Sequence, residues 1–158
     1  MIVEQPAFDV VGISARTDNA KEMSGQGVIP QQWDRFMKEG IMAKIPNRAG
    51  DTIYALYTGY AKDRNSAYDF VIGARVSAET SVPPGMVMKR VPAGKYAVVT
   101  SHKGPGFQVV PAAWQWVWHL EDKSELGGAR AYATDFEVYD QRARDPQAVQ
   151  VDIYVGVK

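Results

Sequence analysis

Glu137 is the residue whose type and setting most suggest chemistry. It lies in Asp135-Phe136-Glu137-Val138-Tyr139, a run that reads as a strand. Side chains alternate across a strand, so Glu137 and Tyr139 share a face. Earlier in the chain, Ile53-Tyr54-Ala55-Leu56-Tyr57 has the same form at an offset of 82, with Ala55 in the place of Glu137 and Tyr57 in that of Tyr139. If the two strands lie near a pseudo-twofold axis, one carboxylate and two tyrosines surround a common cleft. A desolvated carboxylate among aromatic rings attracts a cation, through its charge and through the negative ring faces. The plainer alternatives are a strand glutamate facing solvent, or one paired to Arg130 or Arg142.

Trp33 and Trp114 each open the apolar stripe of a predicted helix. Their spacing makes them core anchors, and a core ring can also wall a pocket. Trp116, at the place that Arg35 takes in the first helix, is either a partly covered surface ring or a contact for a partner chain or ligand.

Catalytic sets are thin. The two histidines, His102 and His119, fall on separate elements with no carboxylate at metal-ligand spacing, so no metal site is expected. Ser101 lies beside His102 but in no nucleophile motif, and Gly-x-Ser-x-Gly is absent. Gly104-Pro105-Gly106 is not a phosphate loop, because the Lys-Ser/Thr signature is missing and proline removes one N–H. No catalytic residue and no cofactor is expected. There is no cysteine, hence no disulfide and no thiolate chemistry.

One pattern in the chain occurs twice. Pro30-Gln31-Gln32-Trp33 is answered by Pro111-Ala112-Ala113-Trp114, 81 positions later. Trp33, Phe36 and Met37 match Trp114, Val117 and Trp118, and Asp69-Phe70-Val71-Ile72-Gly73 matches Asp152-Ile153-Tyr154-Val155-Gly156. Proline is well placed at the first helical position, so helices are predicted over 30–38 and 111–120, with Gly40 stopping the first. Residues 17–27 read as a loop. Strands are predicted over 8–15, 52–61, 67–76, 86–91, 96–102, 133–139 and 149–157. Residues 77–85, ending in Pro83-Pro84-Gly85, read as the joint between the halves.

The expectation is one α+β domain over 1–158 made of pseudo-repeats at about 7–77 and 86–158. Each repeat is a strand-helix-strand-strand unit. Together they form an antiparallel sheet with two helices and a central cleft at the pseudo-twofold.

A length of 158 residues suits a single core, and 18 basic residues cancel 18 acidic ones. With no net charge and no basic run, direct DNA binding is not expected. No signal segment and no 18-residue apolar run is visible, so a cytoplasmic protein with no membrane contact is expected.

Val91-Pro92-Ala93-Gly94-Lys95-Tyr96-Ala97-Val98, then His102-Lys103-Gly104-Pro105, Ala113-Trp114, Asp135-Phe136-Glu137-Val138-Tyr139 and Asp152-Ile153-Tyr154-Val155 stand in this order. In this series the chain resembles the gyrase-inhibitor-like effector-binding domain, also the ligand-binding module of AraC-type and MerR-type regulators. The resemblance implies a duplicated fold with a cleft between the halves. It also implies a buried glutamate that receives cationic, often aromatic, compounds, and Glu137 matches that position. Tyr139, Tyr57, Trp33 and Trp114 are the rings that would wall the cleft.

The regulators carry a helix-turn-helix domain for which no residues remain between 8 and 158. A standalone member is therefore expected. Its function would be non-catalytic binding of a cationic, amphipathic or aromatic small molecule, in regulation or toxin tolerance. Two alternatives stay open. One is a small-molecule hydrolase using Glu137 as base with a tyrosine as acid. The other is an interaction module acting on gyrase or on a DNA-binding regulator partner. A homodimer is compatible with each.

Overall fold

A computed structural model of the chain describes residues 1–77 and 80–158. Ala78 and Glu79, within the segment read as the joint, lie outside the described residues. Eight strands form one antiparallel sheet: β1 (Ile2–Gln5), β2 (Phe8–Thr17), β3 (Ile53–Thr58), β4 (Tyr68–Val76), β5 (Val87–Val91), β6 (Gly94–Thr100), β7 (Thr134–Tyr139) and β8 (Asp152–Val157). Their order is β1-β6-β8-β7-β3-β4-β2-β5. That order is unchanged when β1 to β4 are exchanged for β5 to β8 in turn, as expected of a duplicated unit.

The first strand of each half pairs in the other half. β1 adds to β6, and β5 adds to β2. The first unit is thus one strand longer at its start than the sequence suggests, whereas β5 answers to the predicted strand over 86–91. Residues 2–5 had no strand signal because β1 is a short edge strand, its side chains alternating between exposed and partly covered.

The ladders correct one detail of the repeat. Ile72 lies opposite Ala55, and Ile153 opposite Glu137, at the step between neighbouring strands. The closing strands therefore match at an offset of 81, not the 83 read from Asp69 and Asp152. A shift of two residues keeps every side chain on its face.

The sheet is curled. Strands β2 and β7 stand three places apart, about 14 Å in a flat sheet, yet the Phe8 and Phe136 rings meet at 5.4 Å. Its inner face carries Phe8, Val10, Leu56, Val71, Val91, Tyr96 and Phe136. Phe136 also stacks on Tyr154 at 4.6 Å. The bend needs Gly12 and Gly73, which face each other across β2 and β4. A Cβ on Gly12 would come within 1.9 Å of the Ile72 carbonyl oxygen, and one on Gly73 within 2.0 Å of that of Val11.

The other face carries the helices. These are α1 (Asn19–Met23), α2 (Ile29–Lys38), α3 (Ile41–Lys44) and α4 (Gly106–Asp122). Two of them, α2 and α4, are the predicted pair. The short α1 lies in the segment 17–27 that reads as a loop, and α3 in a stretch with no predicted element, because each is a single turn too brief to show a period. Gly40, at φ 58°, ends α2 and turns the chain into α3.

Helix α4 starts five residues before Pro111, which lies inside it. Pro105 caps the start, and the N–H groups of Gln108 and Val109 both bond to its carbonyl. The N–H missing at Pro111 would have served Phe107 in the first turn, where both residues are exposed and water reaches the carbonyl. Tyr57, Phe70, Ile72 and Ile153 on the sheet pack against Phe36 and Ile41 from the first half and against Trp114 and Val117 from the second.

Candidate ligand-binding site

The site is built where β3 and β7 run side by side beneath α2 and α4. The ladder sets Ala55 opposite Glu137, Tyr57 opposite Asp135 and Ile53 opposite Tyr139. Residues directly opposite share a face, so alternation along both strands turns Asp135, Glu137, Tyr139 and Tyr57 toward the helices. Phe136 and Val138 turn the other way, into the aromatic inner core. Ala55 offers only a methyl group, which leaves the space above the pair to the carboxylate and its neighbours.

Glu137 is 1% exposed. Its Oε2 accepts hydrogen bonds from the Tyr57 hydroxyl at 2.7 Å and from Trp114 Nε1 at 2.6 Å. Its Oε1 accepts from the Tyr139 hydroxyl at 2.7 Å. Trp114 stands over Tyr57 edge-to-face at 4.9 Å, and Trp33 meets Tyr139 at 4.7 Å. Five side chains from four elements thus converge: Glu137 and Tyr139 from β7, Tyr57 from β3, Trp114 from α4 and Trp33 from α2. Tyr57 and Trp114 are buried, whereas Trp33 and Tyr139 are partly exposed and form the outer side.

Among the described residues no ion pair includes Glu137. Arg130 is paired instead with Asp135, and Arg142 with Asp140 and Asp152, so neither expected cation compensates it. The carboxylate does not face solvent either. Burial pushes its pKa above the usual carboxylate range, while the hydrogen bonds from Trp114, Tyr57 and Tyr139 hold it down. Burial and the nearby carboxylate raise both phenols well above their ordinary value, so at neutral pH both keep the proton that they donate to Glu137.

The sequence reading missed what lies beside this group. Tyr68 and Phe70 of β4 back the Tyr57 ring at 5.4 and 5.2 Å. Two residues before Glu137 on the same face, Asp135 is fully buried and bonded to Arg130 at 2.5 Å, to the Tyr60 hydroxyl at 2.6 Å and to the Gly156 N–H at 2.8 Å. The period of two that pointed to Tyr139 points equally to Asp135. Trp116 is 53% exposed and stacks on His119 away from the site.

A curled, eight-stranded antiparallel sheet with helices over one face defines the fold class, and solved bacterial proteins share it. The chain belongs to the family of integron-associated effector binding proteins, whose model matches residues 1–157. It is 38% identical over 148 residues to the putative transcriptional regulator protein YobU of Bacillus subtilis, covering 93% of this chain and 90% of that protein. It is 35% identical to the transcriptional regulator BrlR of Pseudomonas aeruginosa over 99% of this chain and 54% of BrlR, and so spans about half the length of that relative.

The integron cassette protein of Vibrio cholerae is similar in structure, with a TM-score of 0.74 at 29% identity, over 98% of this chain and 94% of that one. The structure of SAV2435 bound to tetraphenylphosphonium gives 0.76 at 18% identity, over 100% and 93%, a likeness of fold. No helix among the described residues is long and apolar enough to cross a membrane.

Proposed function

We propose that the protein binds cationic aromatic small molecules between α2 and α4, with Glu137 as counter-ion and Trp33, Tyr57, Trp114 and Tyr139 as walls, and that it does so without catalysis. One observation carries this reading. Glu137 is buried, and among the described residues no cation is paired with it, although three donors hold it in place. A buried carboxylate is costly without a partner, and a cation entering between the rings supplies one. Its charge meets the carboxylate and its surface meets the ring faces. SAV2435, which shares the fold, was solved with tetraphenylphosphonium, a cation of this type.

The protonated phenols favour binding over hydrolysis, because each donates to Glu137 and, among the described residues, neither bonds a second group that could relay a proton. The partly exposed pair Trp33 and Tyr139 marks the side from which a ligand enters. In solution the protein is expected to act in the cytoplasm, as an effector or drug binder.

Calorimetry with a tetraarylphosphonium ion and its neutral phosphine-oxide analogue tests the proposal. Binding of the cation at least tenfold tighter, about 1.4 kcal/mol, is expected. Equal affinity for the two would remove Glu137 from the role. Exposed Trp116 and Phe107 on α4 support a second reading, contact with a protein partner such as a DNA-binding regulator or gyrase. Co-purification lost in a Trp116→Ala variant that still binds the phosphonium would establish it.

A further inference from the structure

Asp135 and Glu137 stand two residues apart on one face of β7, about 7 Å along the strand. Both are buried, and they differ in what answers the charge. Arg130, whose side chain is 1% exposed, lies on Asp135 at 2.5 Å. Its guanidinium carbon sits 4.3 Å from the Tyr132 ring centroid, 5.9 Å from that of Tyr60 and 6.0 Å from that of Trp114. This is a cation between aromatic rings with a carboxylate beneath, the same arrangement proposed for a ligand at Glu137, and Trp114 belongs to both. The arginine is held there at a cost, since its buried Nε has no hydrogen-bond partner among the described residues. From Arg130 the charges alternate outward through Glu121, Arg64 and Asp122.

We infer that Arg130 determines charge selectivity: it occupies the Asp135 half of the aromatic box and leaves one open negative charge, so the site takes monocations and gives no advantage to dications. This rests on the binding function proposed for Glu137. Without Arg130 the same face would present two carboxylates at the spacing of a bis-quaternary ammonium. Arg130 acts through Asp135 and Trp114 and is a specificity residue, with no contact to a ligand required.

The test compares pentyltrimethylammonium with pentane-1,5-bis(trimethylammonium), whose nitrogens span about the separation of the two carboxylates. The wild-type protein should bind the two within about threefold, because a second charge finds no free partner. A preference for the dication of tenfold or more, about 1.4 kcal/mol, overturns the inference with no variant needed. Arg130→Met should shift the ratio toward the dication by about tenfold or more, less than the full worth of a desolvated charge pair. Arg130→Met combined with Asp135→Asn should return it to the wild-type value.

Circular dichroism establishes that each variant is folded. If Arg130→Met does not fold, the double variant and the wild-type ratio still decide, since a changed ratio in the charge-neutral double variant contradicts the inference. A wild-type protein that binds the neutral phosphine oxide as tightly as the phosphonium ion sinks the binding proposal itself. One that selects monocations, with a ratio that Arg130→Met leaves unmoved, sinks only the role of Arg130.

Discussion

Asp135 and Glu137 are two buried carboxylates on one face of one strand, and they solve the same electrostatic problem in opposite ways. Asp135 has a buried guanidinium, a phenol and a backbone N–H, and through Gly156 it ties β7 to β8. Glu137 has three neutral donors and, among the described residues, no paired cation. The first is a structural charge, compensated within the fold. The second is held in place by dipoles, which steady a carboxylate without cancelling its charge. The contrast teaches that burial alone does not mark a site. On the proposed reading, what marks it is burial together with a counter-charge that none of the described residues provides.

The largest expected effect breaks the structural member of the pair. Arg130→Ala or Asp135→Ala leaves a buried charge alone and should cost about 3–5 kcal/mol. In a chain of this size each kcal/mol lowers Tm by roughly 2–4 °C. Glu137→Gln should show no such loss in the same thermal melts. A drop as large as that of the Asp135 variant would make Glu137 a structural acceptor and dissolve the comparison.

The next effect is on binding. Glu137→Gln should weaken a quaternary phosphonium by about 2–5 kcal/mol and leave its neutral analogue nearly unchanged. Calorimetry at one pH with both ligands checks this.

The pH dependence sharpens the contrast further. Burial raises the Glu137 pKa in the folded state above its value in the unfolded chain. The folded form therefore keeps a proton that the unfolded chain gives up, and folding loses stability as pH rises from the ordinary carboxylate range to the raised value. The penalty is absent below that window and constant above it. Glu137→Gln removes it, so the variant's advantage over wild type should grow through the window and then level off. Within the window, binding a cation should release a proton. This appears in calorimetry as a heat that depends on the ionisation enthalpy of the buffer.

The smallest effects belong to the donors. Tyr57→Phe or Tyr139→Phe each removes one hydrogen bond to a charged group, about 1.5–3 kcal/mol for the carboxylate form. The cation–π contact of the ring stays, so affinity for a cation should change by less than that, while the pH of proton release moves upward. Replacement by Ala should lose a further 0.5–2 kcal/mol, roughly, as the ring goes. No turnover of labile esters is expected from any form. Turnover abolished by Tyr→Phe with binding retained would replace the binding function by a hydrolytic one.

Much of this was legible in the residues. The repeat at a nearly constant offset predicts a symmetric sheet order. The helical stripe of Trp33 and Phe36 predicts α2, and the period of two predicts that Glu137 and Tyr139 share a face. Other features had no local signal. Strand β1 is an edge strand with little buried side, and its place depends on β6, about 90 positions away in sequence. The start of α4 was misplaced because Pro111 has the signature of a first helical position, yet it sits where its missing N–H falls in an exposed first turn.

By itself the sequence determined the periodicities, the turn chemistry and the supply of one strand glutamate with many rings. These are local properties, set by backbone geometry and by side-chain types at fixed spacing. Only the tertiary structure decided which carboxylate received Arg130. Asp135 and Glu137 offer equal charge two residues apart, and Arg130 is close to both along the chain. The path of the chain from Leu126 to β7, the Tyr60 hydroxyl from just beyond the end of β3 and the Gly156 N–H from β8 together favour Asp135. Long-range contacts made that choice, because the energy of a buried charge depends on every dipole and counter-ion around it and not on its neighbours in sequence.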